Sequence, residues 1–126
     1  MDDVLYREEI LDHYRSSSHR GRLECPDYCA ELDNPLCGDH IHMELQTDSE
    51  GRIKTIRFDG HGCAISQAAT SMLAEEVEGM TLQQARKISS EDVVKLIGVP
   101  LTPTRMKCGL LGWRTLQHAI PSDIEA

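Results

Sequence analysis

The stretch HIHMELQTDSEGRIKTIRFDGHGCAISQAATSMLAEEVEG, residues 40–79, decides the fold. It opens with period-2 alternation. Ile41, Met43 and Leu45 fall on one face, and His40, His42 and Glu44 on the other. That pattern predicts a strand with one wet side, and it points both histidines to solvent rather than to a ligand role. TDSEG is a turn, and RIKTIRFDG is a second strand, so the pair reads as a hairpin. The alternation slips between Ile53 and Ile56, which predicts a bulge. After GHGC the period changes to helical from Ala64 to Glu78, with Gly79 as the C-terminal cap. The first turns of this helix are small (Ala64, Ser66, Ala68, Ala69, Thr70, Ser71), so it can pack very close to a neighbour.

Working outward, residues 3–15 carry Val4, Leu5, Ile10, Leu11 and Tyr14 at amphipathic spacing, with acidic residues early. SSSHRG, 16–21, breaks that helix. Residues 22–36 read as irregular, punctuated by Pro26 and Pro35, with a short edge strand near Cys29–Leu32. Beyond the central unit, TLQQARKI is a short helix capped by Thr81, and SSEDVVKLIG is another capped by Ser89 or Ser90. VPLTPTRM reads as an extended, proline-bearing connection. CGLLGWRTLQHAI reads as a closing apolar helix that starts close to Cys108. The expected fold is α+β: an N-terminal helix first, then a small antiparallel sheet of about three strands packed against a cluster of helices. No linker divides the chain, so residues 1–126 are expected to form one domain, with the N-terminal helix in 1–20, strands in 21–62 and helices in 63–120.

Composition narrows the function. Lys plus Arg number 13 and Asp plus Glu 21, a net charge of −8, which disfavours phosphate backbones and anionic membranes as partners. Such a surface suits a protein partner with a basic docking face. Aromatic residues are only 4%, too few for a base-stacking platform. MDDVLYREEILDHYR is charged throughout, unlike a signal peptide, and no run approaches the roughly 20 apolar residues of a membrane span. A soluble, cytoplasmic protein is expected. Five cysteines, an odd number in a reducing compartment, argue against a disulfide framework.

Three of these cysteines share a setting. Cys37 follows a proline turn in NPLCGD, Cys63 lies where a strand yields to a helix, and Cys108 follows a proline-containing loop. All are expected at element ends, where helix N-termini favour thiolate over thiol. Their separations match no zinc-finger or ribbon spacing, so spacing alone leaves open three unrelated thiols. Asp39 adds a carboxylate two positions from Cys37, across a glycine that lets the chain bend. Three thiolates and one carboxylate complete a tetrahedral set for zinc or iron.

NPLCGD, GHGCAIS and the late MKC, in that order, resemble the U-type iron–sulfur assembly scaffolds, the IscU, SufU and NifU N-terminal family. The resemblance runs from LYREEILDHYR to His118–Ile120. It implies that Cys37, Asp39, Cys63 and Cys108 bind a nascent 2Fe–2S cluster, iron or a zinc ion. It implies sulfur delivery as a persulfide by a pyridoxal-phosphate cysteine desulfurase, with Cys37 or Cys108 as acceptor, and cluster transfer to acceptor apoproteins. On this reading the protein is a scaffold and carrier rather than a turnover enzyme. The alternative within the family is a zinc-dependent sulfurtransferase of the SufU type. Lys107, GCAIS and Trp113 are Suf-like, whereas the short IGVPLTPTRMKC is Isc-like. Lys107 offers no lone pair when protonated, so it is expected to act electrostatically on Cys108. LTPTR, 101–105, keeps only part of the Leu-Pro-Pro-Val-Lys segment that an Hsp70-type chaperone reads in the Isc branch, which puts that handoff in doubt. A carboxylate is a harder and weaker partner for a cluster than a fourth thiolate, which suits release.

Cys25 and Cys29 lie outside the family pattern and read as ordinary loop thiols; a second metal clip with His19 nearby is the lesser reading. His61, beside Cys63, is expected behind the ligands rather than among them. A purely structural zinc domain would favour paired-cysteine knuckles, and no cysteine has the base and orienting partner of a hydrolase.

Overall fold

A computed structural model describes residues 8–16, 18–35 and 38–124. The elements run α1 Glu8–Arg15, β1 Tyr28–Asn34, β2 Asp39–Thr47, β3 Ile53–His61, α2 Ala64–Val77, α3 Leu82–Arg86, α4 Ser90–Ile97, α5 Pro103–Gly109 and α6 Leu111–Ala119. This is the expected α+β order, with a three-stranded antiparallel sheet of order β1-β2-β3. Residues 3–7 of the predicted first helix lie outside the described residues. Its described part stops at Arg15, and His19 and Gly21 instead bond to Phe58 along the open side of β3. The edge strand predicted near Cys29–Leu32 is real and longer, Tyr28–Asn34.

The hairpin forms as read. Gln46 faces Thr55 but Thr47 faces Ile53, so Lys54 is the extra residue and the slip in alternation is a bulge. Ile41, Met43 and Leu45 are fully buried with Ile53, Ile56 and Phe58 against the helices. α6 crosses β1 and β2, and α1, α4 and α5 lie on α2. α2 is buried along nearly its whole first ten residues, including Ser66, Gln67, Thr70 and Ser71. The hydroxyl of Thr70 donates to the Ser66 carbonyl at 2.7 Å, so burial leaves it satisfied. The small residues do the work expected of them: at Gly112 of α6 a Cβ would lie 2.3 Å from Thr70 Oγ1.

Helix ends follow local chemistry. Thr81 and Ser89 each close a capping box, with Gln84 and Asp92 respectively. Gly98 ends α4 at φ +78°, a left-handed position that favours glycine. One expectation fails here. VPLTPTRM is not extended throughout: Thr102 caps a helix, Pro103 occupies its first turn, and α5 runs to Gly109. Proline is pre-organised for a helix start and lacks only an N–H that would have no partner there, so the residue read as a breaker is a starter. Cys108 therefore sits in the last turn of α5, not at the head of the closing helix.

The outer face of the sheet is less wet than the alternation predicts. Glu44 is 7% exposed, accepting from the Leu23 N–H at 2.6 Å and pairing with His42 at 3.0 Å. Burial alone would raise its pKa. The Leu23 and His42 bonds and the Arg22 charge outweigh that and hold it below the ordinary glutamate value. His40 lies between Asp33 and Glu31, and its pKa is raised, chiefly by the hydrogen bond to Asp33. Neither histidine simply points into water. Among the described residues no helix is long and apolar enough to cross a membrane.

Two measurements check this packing. Gly112→Ala should cost about 1–3 kcal/mol by forcing α6 off α2, read as a lowered denaturant midpoint at unchanged slope. Glu44 has a depressed folded pKa, so its contribution is present above the unfolded value and lost as pH falls through the folded one. Glu44→Gln should therefore flatten the stability profile below about pH 4.5, and an unchanged acid limb in chemical denaturation would contradict the role given to Glu44.

Candidate metal centre

Three elements deliver three ligand-type side chains to one place. Asp39 begins β2 and is 1% exposed. Cys63 is the N-cap of α2, and Cys108 ends α5. One donor atom from each lies within 4.8 Å of the others. Among the described residues they are the one such group of three or more. Cys37 lies outside the described residues.

The turn GHG makes this convergence possible. Gly60 and Gly62 have φ +147° and +145°. A Cβ on Gly60 would lie 2.0 Å from the His40 carbonyl oxygen, and one on Gly62 would lie 2.1 Å from Asp39 Oδ1. With no side chains in the way, the Cys63 N–H donates to Asp39 Oδ1 at 2.8 Å. Asp39 Oδ2 then faces Cys63 Sγ at 3.9 Å. One carboxylate thus anchors the start of α2 with one oxygen and offers the other to the thiol. Cys63 makes no side-chain cap bond, so its sulfur is uncommitted to the helix.

Cys108 differs from its expected setting in two ways. It stands at the C-terminal end of α5, so the helix dipole gives its thiolate no support. It is also 3% exposed and part of the hydrophobic core, not a loop tip. Asp39 is equally buried, so of the three only Cys63 meets solvent. Asn34, which carries no ligand-type signature in the sequence, supports Cys108. Its side chain is 5% exposed and donates Nδ2–H to Cys108 Sγ at 3.9 Å, from the end of β1. The signal was present, since Asn34 opens NPLCGD, but strand pairing Asn34 with Asp39 is what aims it.

The remaining expected residues fall outside the group. Lys107 is exposed and forms no ion pair among the described residues. The His61 ring stacks on His40, centroids 5.8 Å apart, rather than bonding to Asp39 or Cys63. Cys25 and Cys29 are exposed free thiols away from the group.

Two thiols and a carboxylate converging from two loop-to-element junctions and a helix end agree with the motifs NPLCGD, GHGCAIS and MKC. The chain matches the NifU-like N-terminal domain over residues 5–123. It belongs to that family. It is 35% identical to the iron–sulfur cluster assembly scaffold protein IscU of Thermotoga maritima, over 93% of each chain. It is 30% identical to the zinc-dependent sulfurtransferase SufU of Bacillus subtilis, over 96% of this chain and 92% of that one. Among solved structures it is similar to a protein described as an iron–sulfur cluster assembly scaffold for the SUF system from Fervidobacterium islandicum AW-1. The TM-score is 0.81 at 29% identity, covering 96% of this chain and 100% of that one. Members of this family to which the chain is similar thus carry both names, scaffold and sulfurtransferase.

Gly62→Ala is expected to break the arrangement twice, through backbone strain and through collision with Asp39. The loss should be about 1–3 kcal/mol in stability, together with faster alkylation of Cys108 as the site opens, followed by mass spectrometry. Ordinary stability with unaltered thiol reactivity would show that the close approach is not needed.

Proposed function

We propose that the protein is an iron–sulfur assembly scaffold. It accepts sulfur from a cysteine desulfurase, assembles a labile 2Fe–2S cluster on Cys37, Asp39, Cys63 and Cys108, and passes it to acceptor apoproteins. The observation that carries this reading is the convergence of Asp39, Cys63 and Cys108 within 4.8 Å. Cys37, two positions before Asp39 in the sequence, would complete the set. The donor chemistry fits the cargo. Thiolates bind iron and accept sulfane sulfur, and a carboxylate is the weakest of the four ligands. The split burial also fits: Cys63 is open to an incoming carrier, while Asp39 and Cys108 keep water from the back of the site.

Zinc in the same set supports a second reading, a SufU-type sulfurtransferase. The similarity to a relative of that name and the placement of Lys107 beside Cys108 favour it. Zinc would hold the thiolates deprotonated and in place. Cys37 or Cys108 would receive the sulfane sulfur, and the exposed Lys107 ammonium would attract the anionic persulfide.

Anaerobic reconstitution with ferrous iron, cysteine, a desulfurase and a dithiol reductant, which reduces the delivered sulfane sulfur to sulfide, separates the two. A scaffold should develop a thiolate-ligated 2Fe–2S spectrum and transfer the cluster to an apoferredoxin. Stimulation of desulfurase turnover by zinc-loaded protein alone, with no transferable cluster, would establish the sulfurtransferase instead. Cys37→Ser, Cys63→Ser and Cys108→Ser should each abolish cluster or zinc retention, and Cys25→Ser should leave it intact; metal analysis of the purified variants reads this directly. Asp39→Ala should slow cluster release. It should also destabilise the fold by about 1–3 kcal/mol, since the Cys63 N–H loses its buried acceptor.

A further inference from the structure

We propose that Asn34 is a positioning residue for the metal centre: its side-chain amide holds the Cys108 sulfur in its ligating place and takes up part of the charge that sulfur carries when it binds metal. The inference deepens the reading of Asp39, Cys63 and Cys108 as ligands and rests on it. Asn34 Nδ2–H donates to Cys108 Sγ at 3.9 Å, with both residues buried. Strand register makes the contact. Asn34 closes β1 directly opposite Asp39, the first residue of β2. Side chains facing one another across antiparallel strands start with Cβ atoms roughly 4.5–5.5 Å apart. One cross-strand pair therefore delivers a ligand carboxylate and an amide donor to the same small region, and α5 lays Cys108 against it. The backbone of Asn34 is tied as well: its carbonyl accepts from the Gly38 N–H at 2.9 Å, closing the turn between β1 and β2. The amide is thus fixed by the strand behind it and the turn ahead of it.

Cys108 is where such a donor is needed. Its sulfur belongs to the hydrophobic core at the C-terminal end of α5, and Gly109 beside it faces Leu101, Ile97 and Ile65. Negative charge on a buried atom costs free energy unless donors face it, and the dipole at a helix C-terminus favours the opposite sign. An amide N–H answers both without adding a charge. A lysine or arginine in the same place would pair with the thiolate and repel a metal cation; a neutral amide leaves the sulfur a lone pair for the metal. Hydrogen bonds to ligand sulfurs are among the levers that tune thiolate–metal centres. Sulfur is large and its hydrogen bonds are long, and this one should shorten as the sulfur gains charge.

Asn34→Leu keeps the approximate volume and removes the donor; Asn34→Asp keeps the shape and removes it too. Each is stripped with chelator and titrated with Co²⁺ under argon beside the wild type, and the denaturant midpoint is measured on the same samples. Wild-type protein should give the intense near-ultraviolet charge-transfer band of thiolate-bound cobalt. In both variants Co²⁺ affinity should fall about 10–100-fold. The band should also move to lower energy, because a sulfur without its donor gives up an electron more readily. A residue that served packing alone would lower the midpoint and leave the band energy where it was. NMR of the wild type tests the same point with no variant: the Asn34 side-chain amide protons should move downfield on loading with Zn²⁺, as the bond to the charged sulfur tightens. An unmoved band with unchanged affinity in a folded variant, or unmoved Asn34 amide protons in the zinc-loaded wild type, overturns the proposal and leaves the ligand assignment standing. Absence of the charge-transfer band in the wild type overturns both.

Discussion

The bond from the Cys63 N–H to Asp39 Oδ1, 2.8 Å long, is the constraint on which the rest of the site depends. It joins the first residue of β2 to the cap of α2 across a turn with two glycines at positive φ. A buried carboxylate needs donors, and the first N–H groups of a helix need acceptors. Each solves the other's problem. The same contact sets the separation of the Asp39 carboxylate and the Cys63 sulfur, so it serves structure and ligand geometry together.

Around that joint the packing is unusually close for the size of the side chains. α2 carries small residues through its buried turns, and Gly112 lets α6 approach Thr70. α5 is short and is held between Thr102 at its cap and the core at Cys108. The core therefore fixes Cys108, while Cys63 stands at a solvent-facing turn. A site with one rigid, buried wall and one open edge can retain a cargo from behind and exchange it in front. In the proposed scaffold, lability would come from the open edge and the hard carboxylate, rather than from every ligand lying on a loose loop.

The outer face of the sheet repeats the same economy with different chemistry. Cross-strand pairing stacks Asp33 against His40 and Glu31 against His42, and Asp59 of β3 also faces His42. Like charges facing one another across strands would repel, so the alternation of imidazole and carboxylate is what permits an acidic chain to place so many ionisable groups on one sheet.

The sequence by itself determined the element order, the hairpin with its bulge, the capped short helices and the identity of the ligand-type residues. Those features rest on local periods, caps and turn residues that act within a few positions. It misjudged the stretch 99–106, because Pro103 reads equally as the end of one element and the first turn of another until Thr102 caps it. It placed Cys108 near the head of the closing helix and left the burial of Asp39 and Cys108 unread, since burial depends on what packs over a residue and not on its neighbours in the chain. Asn34 under Cys108, and Glu31 between His40 and His42, were equally invisible. Both depend on strand register, which pairs residues several positions apart. Tertiary structure alone decided those contacts, because hydrogen bonds and ion pairs a few ångströms long are set by how whole elements pack.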